Sequence, residues 1–73
     1  DTLGAAFSAL VKVVEAAGDD GLRRRSVNQK LLALEDDVSA DVIKLAAQKD
    51  TLDAAVTNGI LEEEDRILFL PAG

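Results

Sequence analysis

Residues 51–71 read TLDAAVTNGILEEEDRILFLP. Leu52, Ala55 and Val56 recur at helical spacing, and Asn58-Gly59 then stops the helix. Further on, the run Arg66-Ile67-Leu68-Phe69-Leu70 is rich in apolar and branched residues and closes on Pro71, which predicts a strand. Ile60-Leu61-Glu62 is its candidate partner, with Glu63, Glu64 and Asp65 as the short turn between them. The stretch thus predicts a helix that runs into a terminal hairpin.

Upstream, Ser39 is placed to cap a helix and Asp41 to favour its dipole. Val42, Ile43, Leu45 and Ala46 carry its apolar positions. Residues 39–58 fit either one helix or two; "KDT" at 49–51 interrupts the stripe and favours a break, with Asp50 or Thr51 as the new cap. Before that, "SVNQKLLALEDD" offers Ser26 and Gln29 as a capping box. Val27, Leu31 and Leu34 follow, with an end near Leu34 or Glu35. "LRRR" at 22–25 reads as a brief strand after the turn "GDDG". The N-terminal segment predicts a helix capped by Thr2. Leu3, Phe7, Leu10, Val11 and Val14 lie on one face, and Gly18 serves as a left-handed C-cap.

The order is helix, short strand, helix, helix or helices, strand, strand. In that order, and through residues 51–71, nearly the whole chain resembles a winged helix-turn-helix domain. A fainter similarity, through "SVNQKLLALEDDVSADVIKL", is to the LOTUS (OST-HTH) winged-helix group of RNA-binding domains, without that group's glycine and aromatic positions. The helix-turn-helix also lacks a glycine turn, since "KLAAQ" runs through "KD" into "TLDAA". The expected fold is mainly α with a small antiparallel hairpin or three-stranded sheet, winged-helix-like, in one domain spanning 1–73. The start at Asp1 and the lack of Met are read as a piece of a longer protein or a processed form.

Composition narrows the chemistry. The 73 residues hold no Cys and no His. Disulfides, zinc sites built from those residues and Cys or His nucleophiles are therefore excluded. Ser8, Ser26 and Ser39 have no His for a catalytic triad, and "AAGDDG" lacks the lysine and spacing of a phosphate loop. Consecutive carboxylates in "EEED" lack the alternation of a calcium loop. "EDDVSAD" at 35–41 reads as turn and dipole residues. No enzyme and no cofactor are expected. At 48% apolar, the chain has the makings of an aliphatic core. A domain this small buries only about 60% of its unfolded surface, so its stability is modest.

Net charge is −6, yet residues 21–30, GLRRRSVNQK, hold four of the eight Lys and Arg and no acid. Arg23, Arg24, Arg25, Asn28, Gln29 and Lys30 cluster near a predicted helix start, with Lys44, Gln48 and Lys49 on the next segment. Two uses compete. One is contact with a protein partner or another domain of a parent chain, where Arg is favoured at interfaces. The other is a DNA or RNA surface, with Arg23, Arg24, Arg25, Lys30, Lys44 and Lys49 on phosphates and Gln48, Thr51, Thr57 or Asn58 on base edges. Simple pairing of the arginines with Asp19, Asp20 or "EEED" is the plain alternative. An acidic chain with no long apolar run predicts no membrane partner. An intracellular location, cytoplasmic or nucleoid/nuclear, and a possible dimer through exposed Leu or Ile complete the expectations. The two uses separate on one question: whether acids interleave the cations on the folded surface.

Overall fold

A computed structural model of the chain describes residues 2–71. Helix α1 spans Thr2–Ala17 and passes through a one-turn 3-10 segment, Gly18–Asp20, to strand β1 at Leu22–Arg23. Helices α2 (Arg24–Leu32), α3 (Ala40–Ala46) and α4 (Lys49–Thr57) follow. Strands β2 (Glu62–Glu64) and β3 (Ile67–Phe69) end the described chain. The fold is mainly helical with one three-stranded antiparallel sheet in the order β1-β3-β2, a winged-helix-like arrangement.

Helix α1 lies at the centre. Ala6, Ala9, Leu10, Val13 and Val14 are buried, while Phe7 and Val11 flank the core and Leu3 is 41% exposed. The buried face is thus rotated from the large-residue stripe towards the alanines. The small side chains let α3 approach closely through Ala46, and Val27, Leu31, Ile43, Leu52, Leu61 and Leu68 fill around them.

Four local readings are corrected, the first by tertiary pairing. The strand predicted over 22–25 keeps only Leu22 and Arg23, because the Arg24 N–H donates to the Arg66 carbonyl at 3.1 Å and the helix begins there. Arg23 is the N-cap, with no side-chain capping bond, and Ser26 lies inside α2 instead of capping it. Thr2 likewise is the first residue of α1, not the residue before it. Helix α2 ends at Leu32, two residues short of Leu34.

The segment 39–58 is two helices, with the break at Ala47-Gln48. Ser39 caps the first, its Oγ accepting from the Val42 N–H at 3.4 Å. Gln48, extended at φ −71° and ψ 142°, starts the second in place of Asp50 or Thr51. The break has a packing cause. Ile43 and Leu52 are nine residues apart, as are Ala46 and Ala55, and a straight helix would point each pair in opposite directions. All four are buried.

The hairpin is displaced from its expected position. Gly59 is left-handed at φ 74°, its N–H donates to the Val56 carbonyl, and the Ile60 N–H donates to that of Ala55. This is a Schellman cap, and it commits Ile60 to the end of α4. Strand β2 therefore starts at Glu62, and the glutamates are the strand itself. The turn is Asp65-Arg66, between the paired Glu64 and Ile67, with φ values of 53° and 65°. Among the described residues, no helix is long and apolar enough to cross a membrane.

Candidate interaction surface

Arg24 is the hub of the basic stretch. Its Nη2 donates to Glu63 Oε1 at 2.9 Å and to Asp53 Oδ1 at 2.7 Å, and its Nε donates to Glu63 Oε2. One guanidinium thus ties the first turn of α2 to strand β2 and to the exposed face of α4. The Arg24 side chain is 20% exposed and that of Glu63 25%. The hydrogen bonds that Arg24 donates to Glu63, foremost, raise its pKa above the ordinary value against the opposing effect of burial, with Asp53 adding to the rise. Fork geometry of this kind is the strong form of the carboxylate contact.

Around this clamp the remaining cations divide. Arg25 and Lys49 line a cleft of about 690 Å³ together with Arg24, Arg66, Asp53 and Glu63. Arg23 joins Arg24, Arg25 and Arg66 along a neighbouring cleft. Asn28 and Lys44 lie in a third groove, beside Leu32, Ile43, Glu35 and Asp36. Lys30 is two residues past Asn28 and so faces the other flank of α2. Gln48 sits at the start of α4, exposed, with its carbonyl accepting from Thr51 and Leu52.

The base-edge candidates fare unevenly. Thr51 is buried at 4% exposure and faces the core. The Asn58 amide donates to the Ala54 carbonyl at 2.8 Å, closing its own helix. Thr57 is exposed, but it shares the outer face of α4 with Asp50 and Asp53, at positions i, i+3 and i+7. Next to this helix stand the exposed Glu62, Glu63 and Glu64 of β2. Acids therefore interleave the cations.

The expected pairing of the arginines with "EEED" is met at Arg24–Glu63, and the residues that sequence reading did not single out are Asp53 and Arg66. Asp53 was hidden because nothing in the spacing of 24 and 53 reveals that they meet. Arg66 had a local signal: Asp65-Arg66 sits between two runs that can pair, in the position of a two-residue hairpin turn. Among the described residues, both ion pairs belong to Arg24, which leaves Arg23, Arg25, Lys49 and Arg66 without a carboxylate.

Comparison with protein-family models, with curated proteins and with solved structures gives no match for this chain.

Proposed function

We propose that this domain is a non-catalytic protein-interaction module, a winged-helix-like adaptor that docks onto a protein partner or another domain of its parent chain. The observation that carries the reading is the placement of Asp53 and Glu63 against Arg24. It removes the central cation of the basic stretch from any ligand. It also reflects a wider arrangement, in which the helix and strand that a nucleic-acid-binding winged helix would lay on phosphates carry Asp50, Asp53, Glu62, Glu63 and Glu64. Those groups repel a phosphate backbone, where binding depends on cations that displace its counterions. The proposal extends the likeness to winged helix-turn-helix domains and carries an intracellular setting, cytoplasmic or nucleoid/nuclear.

One observation favours the nucleic-acid alternative: Arg23, Arg25, Lys49 and Arg66 have no carboxylate partner among the described residues. Fluorescence anisotropy with labelled mixed-sequence DNA and RNA at physiological salt, followed by a salt series, separates the two. The adaptor reading predicts no binding tighter than the non-specific range of roughly 10⁻⁴–10⁻⁶ M. It also predicts that Asp50→Lys with Glu62→Lys and Glu64→Lys creates salt-dependent binding. Tight binding by the unaltered domain, with a steep salt slope, contradicts it.

A further inference from the structure

Four guanidiniums and one carboxylate line a cleft of about 440 Å³ formed by Arg23, Arg24, Arg25, Asp65, Arg66 and Ile67. Arg24 is held by Glu63 and Asp53. Arg23, Arg25 and Arg66 are exposed and have no acid partner among the described residues.

The backbone keeps these three together. Arg23 is paired with Ile67 in the sheet, and the Arg66 carbonyl accepts the Arg24 N–H. Arg25 follows in the first turn of α2. Arg66 is moreover held at φ 65°, a conformation that glycine or asparagine adopts with less strain. Like charges gathered in one cleft repel, and the one carboxylate lining it, Asp65, forms no ion pair with Arg23, Arg25 or Arg66 among the described residues. Three guanidiniums facing one carboxylate leave an excess of positive charge, which points to a ligand of the opposite sign.

We infer that the Arg23–Arg25–Arg66 cleft receives an acidic segment of a protein partner. The inference rests on the adaptor reading and names the chemistry of its partner. Guanidinium groups take carboxylates in paired hydrogen bonds, and Arg is a frequent anchor at protein interfaces. The footprint suits a few acidic side chains and not an extended polyanion. Asp65 lies in the cleft, and Asp53 and Glu63 line the adjoining one, so a phosphate backbone running on would meet carboxylates. The half-buried Ile67 adds an apolar contact that a peptide can use.

The test is an amide-resolved NMR titration of the labelled domain with a short Glu-rich peptide and, separately, a single-stranded oligonucleotide of equal charge. Salt is held at about 0.1 M, where charges more than roughly 10 Å apart are screened. The domain's net charge of −6 repels both probes in general, so binding reports a local site. The expected result is peptide-induced shifts centred on residues 23–26 and 65–67. Binding should weaken at least tenfold in Arg25→Glu with Arg66→Glu and stay unchanged in Lys30→Glu, on the other flank of α2. If the Glu pair disturbs the fold, Arg25→Gln with Arg66→Gln serves the same purpose. No peptide binding, or equal weakening by Lys30→Glu, overturns the inference and leaves the adaptor reading standing. Oligonucleotide binding across α4 and β2 overturns the adaptor reading itself. Oligonucleotide binding confined to the cleft and tighter than that of the peptide overturns the choice of partner.

Discussion

Arg24 and Glu63 meet through two hydrogen bonds, thirty-nine residues apart in sequence, across the seam between the first turn of α2 and strand β2. A third bond, from the same guanidinium to Asp53, brings in α4. The expected consequence is energetic coupling between Arg24 and Glu63. Arg24→Gln should cost about 1–2 kcal/mol, part of it from carboxylates left facing each other. A double-mutant cycle with Glu63→Gln should give a coupling of roughly 1 kcal/mol in urea unfolding, and additive effects would mean that the pair does not form in solution.

The same contact sets a pH expectation. Glu63 and Asp53 raise the Arg24 pKa. A raised cationic pKa contributes stability that is complete below the unfolded-state value and is lost only as pH climbs through the folded-state value. For an arginine both values lie in strong alkali. Unfolding free energy compared between the natural chain and Arg24→Gln should therefore differ by a constant amount from pH 7 to pH 10. A difference that shrinks across that range would contradict the assignment.

Gly21 stands where no side chain fits. Its φ is 76° with ψ −173°, and a Cβ would lie 2.8 Å from the Leu68 carbonyl oxygen and 2.6 Å from Ile67 Cγ2. Gly21→Ala should lose about 2–3 kcal/mol, from a backbone region essentially limited to glycine together with the clash against β3. Thermal melting followed by circular dichroism measures it. Gly18→Ala, strained at φ 79° but with open space around it, should lose less.

Much of the fold was legible because its signals are local. The α1 helix, the Ser39 cap and the Asn58-Gly59 stop all act within a few residues, and the structure keeps each of them, although of the α1 stripe only Leu10 and Val14 are buried. The errors lie where a distant partner decided. Sheet pairing to Ile67 and Leu68 starts α2 at Arg24 and leaves the Ser26 box inside the helix. The Schellman cap takes Ile60 and moves the hairpin turn on to Asp65-Arg66. The basic cluster was visible as a run, but its division was not. Whether an arginine meets an acid or stays unpaired depends on which elements pack together, and positions 24, 53 and 63 share no sequence pattern.

The Asp65-Arg66 turn sets stability against binding. Both residues sit at positive φ, the geometry of a type I′ hairpin, for which Asn-Gly is the preferred pair. Asp65→Asn with Arg66→Gly should stabilise the domain by roughly 0.5–1.5 kcal/mol, by relieving left-handed strain at two non-glycine positions. The same change should weaken acidic-peptide binding, because it removes one of the three unpaired guanidiniums. A gain in melting temperature with unchanged peptide affinity would show that Arg66 has no part in the cleft.

The core leaves little reserve. Leu10 is fully buried on the central helix. Leu10→Ala should cost about 2–5 kcal/mol, comparable to the whole stability of a domain this small. The expected outcome is loss of the cooperative unfolding transition, read by calorimetry. Retention of a sharp transition would show a core less dependent on α1 than its packing implies.

Arg24 is held within the fold by Glu63 and Asp53, which leaves the arginines around it for the proposed partner. NMR of the arginine Nε–Hε groups tests it most directly, recorded with and without mixed short DNA and RNA at low salt. The expected result is an Arg24 signal that exchanges slowly with water and does not move when nucleic acid is added, while Arg23, Arg25 and Arg66 exchange fast. Four equivalent, fast-exchanging signals, or an Arg24 signal that shifts with nucleic acid and recovers with salt, would contradict it.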